Sequence, residues 1–250
     1  MGKIKLKEIS TRAPKDWNKE ETKATTNNIL QELDELQNLL YAESKHSILI
    51  ILQGMDASGK DGTVRKVLSS LNPQGVDVHS FKVPTAEELS HDFLWRIHRV
   101  APAKGIIQVF NRSQYEDILV TRVHKLIDEK TARKRMKAIN DFEQLLEEHS
   151  NTHILKFYLH ISPEEQQQRL QERISDPHKQ WKYNENDFAE AKLWDDYMAV
   201  YEDCFENCND VPWTIVPADQ NWYKEYIVAN ALHKTLKKLD MRYPGLKKDG

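Results

Sequence analysis

The most constraining feature of this sequence is an apolar segment that runs directly into a glycine- and lysine-containing loop. Residues 47–53 read SILIILQ, and residues 54–60 read GMDASGK. Continuous apolar runs of this kind are typical of strands buried on both faces of a parallel sheet. The loop matches G-x-x-x-x-G-K, in which backbone N–H groups surround phosphate oxygens and the lysine reaches the transferring phosphoryl groups. A predicted helix over 62–71 adds the positive end of its dipole. The segment therefore predicts a phosphate-binding loop.

Four further apolar runs follow, separated by segments with helical periodicity. The predicted strands after the first are 76–82, 105–110, 154–159 and 212–216, and the other predicted helices are 27–43, 86–100, 131–149 and 222–239. Strands that alternate with helices indicate βαβ units and a parallel sheet. Thr85-Ala86-Glu87-Glu88 and Ser162-Pro163-Glu164-Glu165 are capping boxes that would start two helices. An α/β fold is therefore expected.

The polar, lysine-rich N-terminal segment stands apart from this alternation. Residues 1–26 are expected to form an arm that packs on the surface or on a partner subunit. No change of composition marks an internal boundary, so residues 1–250 are expected to form one domain. Within it, 1–44 would be the arm and first helix, and 162–190 a lid.

Composition narrows the functional classes. A net charge of −3 argues against a protein coated in positive charge for nucleic acid. No apolar run approaches the roughly 20 residues that span a bilayer, and the first residues lack the apolar core of a secretory signal. The two cysteines, Cys204 and Cys208, are expected to be reduced and packed, which suits a cytoplasmic protein. Neither nucleic acid nor a membrane is expected as a partner.

Two acidic residues distinguish this loop from most phosphate-binding loops. Asp61 follows Lys60, where a serine or threonine usually contacts magnesium, and Thr63 comes two residues later. Asp56 lies inside the loop, where a carboxylate repels phosphate unless a cation lies between them. We therefore expect Asp56 to bind Mg²⁺ or a cationic partner. The alternative is a turn residue that bonds its own backbone.

A second polar cluster follows the third predicted strand. Residues 111–117 read NRSQYED. Ligands of doubly wound sheets bind at the carboxyl ends of the strands, so Arg112 is expected in the site. Asn111 stands where an acidic metal ligand is common, so Asp117 or Glu116 would have to supply that carboxylate.

A third, basic segment, residues 169–182, reads RLQERISDPHKQWK. Its arginines are four apart and share one helix face, and Asp176-Pro177 is expected to end that helix. Taken singly, each basic residue also fits a solvated charged face. As a group behind a phosphate-binding loop they predict a lid that closes cations over phosphates. The basic residues are Arg169, Arg173, Lys179 and Lys182.

Together the three segments resemble the polyphosphate kinase 2 family. The shared patterns are G-x-D-x-x-G-K-x-G, F-N-R-S-x-Y-E and R…D-P-x-K-x-W-K, within roughly residues 45–240. The resemblance implies a P-loop NTPase-like, three-layer α/β/α fold with a parallel sheet, similar to thymidylate kinases. It implies reversible transfer of the terminal phosphoryl group of inorganic polyphosphate to nucleotides, with Mg²⁺, by a homodimer or homotetramer. Residues 110–117 look most like the branch that accepts AMP and ADP.

The resemblance also implies roles for individual residues. The implied catalytic set is Asp56, Lys60, Arg112 and Arg173, with Mg²⁺ at Asp56 and Asp117. A polyphosphate chain carries about one charge per phosphate, so its channel must be cationic. Arg65 and Lys66 fit such a channel or an ordinary exposed helix face. The expected substrate-binding residues are Gly54, Ala57, Ser58, Gly59, Asp61, Gly62, Thr63, Arg65, Lys66, Lys82, Asn111, Glu116, Arg122, Arg169, Lys179 and Lys182.

Two other functions share part of this pattern. An ATP-dependent nucleoside monophosphate kinase has the same kind of loop and lid arginines. A nucleotide-binding regulator would need no clamp for a transition state. Adenine nucleotides are the expected acceptors, with guanine nucleotides as the alternative. Product formation from AMP and polyphosphate without ATP would distinguish a polyphosphate phosphotransferase from both of these alternatives.

Overall fold

A computed structural model of the protein describes residues 4–246. It contains a five-stranded parallel sheet with the order β2-β3-β1-β4-β5. The strands are β1 (Ser47–Gln53), β2 (Val76–Ser80), β3 (Ile107–Asn111), β4 (Thr152–His160) and β5 (Trp213–Pro217). Every predicted strand is present. All seven residues of the central strand β1 are buried, as the continuous apolar run predicts.

Helices cover both faces of this sheet. They are α1 (Lys19–Glu43), α2 (Lys60–Val67), α3 (Ala86–Leu89), α4 (Trp95–His98), α5 (Glu116–Val123), α6 (Glu129–Ser150), α7 (Pro163–Ser175), α8 (Glu185–Ala191), α9 (Trp194–Asn207) and α10 (Asn221–Lys237). Helices α1, α2 and α10 pack together on one face, and α5, α6 and α9 on the other. The expected three-layer α/β/α fold is confirmed. Over residues 4–246, no helix has both the length and the apolar character to cross a membrane.

Local sequence explains most helix ends. Thr85 and Glu88 form the predicted capping box of α3. Ser162 caps α7 by accepting a hydrogen bond from a backbone N–H, and Pro163 is the first residue of that helix. Helix α7 ends before Asp176, whose extended backbone is the conformation that a following proline favours.

Three predicted helix boundaries were wrong. Helix α1 begins at Lys19 instead of residue 27, because Asn18 caps it. The helix predicted over 86–100 is divided into α3 and α4, since the Asp92 carboxylate accepts from the Leu94 N–H and starts a new turn. Helix α2 ends at Val67, four residues before the predicted end.

The arm before α1 packs along its own chain. Leu6 is buried; its N–H donates to Glu202 Oε1 at 2.7 Å, and its carbonyl accepts from His160 Nε2 at 3.1 Å. Trp17 packs against the rings of Tyr223 and Tyr226 on α10. Residues 4–18 therefore pack on the surface of their own chain, which is one of the two arrangements expected for the arm. The first three residues lie outside the described range.

The strand order determines where the site forms. Strands β1 and β3 are neighbours, and Leu52 pairs with Asn111 near their carboxyl ends. The chain leaves β1 and β3 toward opposite edges of the sheet, which makes this pair its topological switch point. The loop at 54–60 and the segment that starts at Arg112 are therefore brought together.

Candidate active site

The loop at 54–60 curves tightly against the sheet. Gly54 has φ +149°, a conformation that side chains rarely allow. A Cβ at Gly54 would lie 2.8 Å from the Leu159 carbonyl oxygen of β4. The loop therefore approaches the sheet more closely than any residue with a side chain permits.

Lys60 is the buried first residue of α2. Its Nζ donates to the carbonyl oxygens of Gly54 at 2.7 Å and Met55 at 3.2 Å. Burial lowers the pKa of Lys60 to about 8; the nearby Arg112 lowers it too, whereas Asp56 acts in the opposite direction. An ammonium held inside the curve of the loop can meet a phosphate bound by the loop N–H groups.

Arg112 connects the loop to the third strand. It follows β3 with φ +62°, an uncommon conformation for a residue other than glycine. Its guanidinium donates to the Asp56 carboxylate and, at 2.9 Å, to Glu116 Oε2. Asp56 thus has a cationic side chain as partner, one of the two roles expected for it. Backbone conformations of this kind concentrate at functional sites.

A cleft of about 780 Å³ opens beside the loop. Its basic lining residues are Lys60, Arg65, Lys82, Arg112, Arg169, Arg173, Lys179 and Lys182, and its acidic ones are Asp56, Asp61, Glu172 and Glu225. Eight cations against four carboxylates give the lining a formal charge of +4, in a chain whose net charge is −3. The predicted Ala57, Gly59, Gly62 and Asn111 also line it. The cleft is therefore suited to an anion.

The lid segment reaches this cleft through paired charges. Arg173 of α7 forms an ion pair with Asp187 of α8. Lys182 Nζ lies 3.2 Å from Asp61 Oδ2, and Asp61 Oδ1 accepts from Asn111 Nδ2 at 2.7 Å. Asp61 therefore links the phosphate-binding loop to the lid and to the end of β3.

Arg169 has a different position from the one expected of a lid arginine. Its NH1 donates to the Ala57 carbonyl at 3.0 Å, and its NH2 donates to the carbonyls of Ala218 and Asp219, each at 2.9 Å. Its Nε donates to Glu165 at 2.8 Å. With these donors engaged, Arg169 fastens the loop to α7 and to the end of β5.

The structure places two predicted site residues away from the cleft. Asp117, an expected metal ligand, is paired with Arg96 at 3.0 Å, and burial raises its pKa. Adjacent helix residues point about 100° apart, so only Glu116 of this pair lies beside Arg112. Arg122 is paired with Glu129 and Asp203 at 2.9 and 2.7 Å, at the far end of α5.

Two hydroxyl residues, one in the loop and one in the first turn of α2, lie behind the cleft lining. Thr63 is buried, and its hydroxyl donates to the Gly59 carbonyl at 3.1 Å. Ser58 is fully buried as well. Neither lines the cleft. Both side chains therefore face the interior of the protein and not the cleft.

A smaller cavity lies on the other side of Asp56 and Arg112. Its further lining residues include Gly54, Glu116, Glu190, Tyr197 and Tyr201. The Tyr197 hydroxyl donates to Glu190 Oε2 at 2.6 Å, and burial raises the pKa of Tyr197. The cavity has a volume of about 20 Å³, which is room for about one water-sized group. Arg112 and Asp56 line both spaces and therefore separate this cavity from the cleft.

A lysine-lined groove of about 450 Å³ adjoins the cleft. Asn221 and Glu225 line both spaces. The groove also contains Lys19, Lys23 and Lys66. Lys66 thus lies in this groove and not in the main cleft, with its Nζ 3.3 Å from Asn27 Oδ1.

A buried network supports the segment between Arg112 and Glu116. Lys156 Nζ donates to the Tyr115 hydroxyl and to Glu143 Oε2, each at 2.7 Å. The Tyr115 hydroxyl in turn donates to Glu143 Oε1 at 2.7 Å. Because breaking a buried ion pair is strongly destabilising, this network fixes the backbone that carries Arg112.

The acidic groups of the cleft fit a magnesium ion that phosphate helps to bind. Within the part of the chain that is described, no group of three or more His, Cys, Asp or Glu side chains could hold a metal by itself. Mg²⁺ usually takes one or two carboxylates together with substrate phosphates and waters. Asp56 and Asp61 supply two carboxylates beside the loop.

Two residues of this site were not predicted from the sequence. Asp187, the partner of Arg173, lies in a helix that no motif marked. Lys224 of α10 is 1% exposed. It lies four and eight residues before Val228 and Leu232, on the same buried stripe. A lysine on an apolar helix face is rare without a partner, so its position in the helical pattern could have predicted a buried functional contact.

Comparisons with known proteins identify the family of this chain. The model of the family described as Polyphosphate kinase 2 matches residues 16–244. The chain belongs to the polyphosphate kinase 2 family. The resemblance inferred from the three motifs is thereby confirmed, as is the expectation of a polyphosphate phosphotransferase.

Two relatives share nearly half of the aligned residues with this polyphosphate kinase 2 chain. It is 48% identical over 214 residues to an AMP/ADP-polyphosphate phosphotransferase of Meiothermus ruber, covering 85% of this chain and 80% of the relative. It is 46% identical over 230 residues to an ADP-polyphosphate phosphotransferase of Rhodopseudomonas palustris, covering 86% and 79%. The crystal structure of polyphosphate kinase 2 from Arthrobacter aurescens TC1 matches with a TM-score of 0.95 and 41% identity, over 100% of this chain and 91% of that one.

Proposed function

We propose that this protein transfers the terminal phosphoryl group of inorganic polyphosphate to AMP and to ADP, reversibly. The observation that carries the proposal is the cleft of net charge +4 beside the phosphate-binding loop. Polyphosphate carries about one negative charge per phosphate, so a cationic cleft that continues into a lysine groove suits a chain of phosphates. Membership of the polyphosphate kinase 2 family supports the same donor.

The chemistry needs alignment and charge neutralisation more than a base, because the attacking atom is already a phosphate oxygen. Lys60 and the loop N–H groups would hold the terminal phosphates of the donor. Arg112 lies between the two spaces, where it would neutralise the group in transfer. Arg173 would add a second guanidinium from the lid. Mg²⁺, when bound at Asp56 and Asp61, neutralises charge on the phosphate oxygens.

The choice of acceptor is the finer part of the proposal. The two relatives are similarly close, yet one name includes AMP and the other only ADP. Glu116 supports the inclusion of AMP, since it lines the small cavity beside Arg112. The Glu116 carboxylate could bind a cation where the second phosphate of ADP would lie, once the cavity, about 20 Å³ in this structure, widens to admit it. A homodimer or homotetramer in the cytoplasm stays a prediction.

The proposal is tested with purified protein, polyphosphate, Mg²⁺ and either AMP or ADP, without ATP. We expect AMP to yield ADP and then ATP, as followed by chromatography. A Lys60→Met variant purified in the same way controls for contaminating kinases. Product from ADP but none from AMP would contradict the acceptor assignment alone. Product that requires ATP would favour the nucleoside monophosphate kinase, and binding without turnover the regulator.

A further inference from the structure

A buried lysine lies directly behind the phosphate-binding loop. Lys224 Nζ is 3.2 Å from the Ser58 carbonyl oxygen, 3.4 Å from the Gly59 carbonyl oxygen and 2.9 Å from Asn221 Oδ1. A protonated lysine has three N–H donors and no acceptor, so these three oxygens match the ammonium form. We propose that Lys224 is a positioning residue that orients the loop peptides for binding of the polyphosphate end.

The orientation follows from peptide geometry. The described chain contains no cis peptide bonds. In a trans peptide the C=O and the following N–H point in opposite directions. Two carbonyls directed at Lys224 therefore send the N–H groups of Gly59 and Lys60 the other way, toward the cleft that both residues line. These are the donors that a phosphate-binding loop presents to its ligand.

The position of Lys224 explains why the second glycine of the motif is required. Gly59 has φ +94°, and a Cβ there would lie 2.2 Å from Lys224 Nζ. Any side chain would thus displace the ammonium from the two carbonyls. Gly59 and Lys224 form one unit, although they are 165 residues apart in the chain.

The surroundings of Lys224 affect its pKa in both directions. Burial lowers its pKa to about 7, and Arg169 and Lys60 lower it as well, whereas Glu225 and Glu165 act in the opposite direction. A polyanion in the cleft would favour the protonated form. Binding of the anion and protonation of Lys224 therefore strengthen each other by linkage.

This inference rests on the proposed function, and the test separates the two. Lys224→Met removes the charge and keeps the stem, Lys224→Arg keeps a charge, and Lys234→Met changes an exposed lysine of the same helix. For each we would measure kcat, the KM of polyphosphate, the KM of the nucleotide, and the Kd of tripolyphosphate with Mg²⁺. Circular dichroism and the Tm verify folding.

We expect Lys224→Met to raise the KM of polyphosphate and the Kd of tripolyphosphate by about 10-fold or more, the order expected for a charged hydrogen bond. The nucleotide KM should change less than threefold or so, and Lys224→Arg should recover most of the loss. In the wild type, tripolyphosphate binding should weaken as the pH rises through about 7. The Lys224→Arg variant should lose the decrease near pH 7, because arginine stays protonated, and keep the decrease near pH 8 that Lys60 contributes.

Unchanged Kd in a folded Lys224→Met variant would overturn the inference, and so would equal loss for both substrates. If Lys224→Met does not fold, Asn221→Ala removes only the third acceptor and should raise the same Kd by a smaller factor. If the wild type binds no tripolyphosphate, the proposed function fails instead. The same variants are then measured with ATP, whose phosphates need the same loop, and unchanged ATP affinity would overturn the role of Lys224.

Discussion

Replacing Lys60 by methionine should make the free protein more stable and almost inactive. The pKa of Lys60 falls from 10.5 to about 8 in the folded chain, mainly because of burial. Each pKa unit corresponds to about 1.4 kcal/mol, so the charged side chain costs about 3 kcal/mol of folding free energy at neutral pH. Methionine has a similar apolar stem and no charge.

Two hydrogen bonds are lost in the same substitution. The carbonyls of Gly54 and Met55 no longer accept from Nζ, and each such bond contributes about 1 kcal/mol. The balance is a gain of about 1 kcal/mol. For a chain of this size that corresponds to a rise in Tm of about 2–4 °C.

The pH dependence has a defined sign. Because the folded pKa is lower than the unfolded one, the cost is fully present below pH 8 or so. It decreases as the pH rises from there toward 10.5, where the unfolded chain loses the same proton. Lys60→Met should therefore be more stable than wild type at pH 7 and less stable near pH 10. Its kcat should fall by a factor of about 10²–10³.

The assay is urea unfolding at three pH values together with steady-state kinetics. Lys234→Met, an exposed substitution, should show no such crossing. A folded Lys60→Met variant that is less stable than wild type at pH 7 would refute the idea that burial strains this ammonium. Activity close to wild type would remove Lys60 from the mechanism.

Three further predictions concern the lining of the cleft, the small cavity and the groove. Arg112→Lys and Arg173→Lys should each lower kcat by about 10²-fold or more with a smaller change in KM, because a point charge cannot replace a planar fork. Glu116→Gln should reduce kcat/KM for AMP about 10-fold more than for ADP, measured by product chromatography. Lys19→Ala combined with Lys23→Ala should raise the KM of long polyphosphate several-fold and leave that of tripolyphosphate unchanged, since only a long chain reaches the groove.

Matched control variants exist for the arginine and the lysine substitutions. Arg133→Lys alters an exposed arginine paired with Asp203, away from the cleft. Lys134→Ala with Lys137→Ala removes two exposed lysines of α6. Equal losses on both acceptors would mean that Glu116 only holds Arg112, and equal losses for short and long chains would contradict the role of the groove.

The sequence predicted those parts of the fold that depend on local pattern. The apolar run before Gly54 predicts a central strand, because only a strand that is apolar on both faces can be covered by helices on both sides. The same logic placed Arg112 at the carboxyl end of β3. The order of the five strands was not predicted, since it depends on which buried faces fit together and not on any single segment.

Side-chain direction explains the failures within the site. Asp117 and Arg122 were expected near the substrate because they follow Arg112 closely in sequence. Helix α5 turns them toward Arg96 and Asp203 instead. Lys224 was not predicted because its neighbours in sequence carry no motif. It is far from every motif in the chain, and only the folded structure brings α10 behind the loop.

The paired charges of the cleft have a consequence for the way its ligand enters and leaves. Five of the cleft's eight cations already have carboxylate partners on their own chain. They are Arg112, Arg169, Arg173, Lys179 and Lys182. A phosphate chain that binds there exchanges partners, and the carboxylates it displaces must recruit cations from solution. Net release of small ions should then be smaller than eight unpaired cations would give. The slope of log KM for polyphosphate against log salt concentration should therefore be shallow. Because the displaced carboxylates can pair with the cations again, such a cleft favours release of the product.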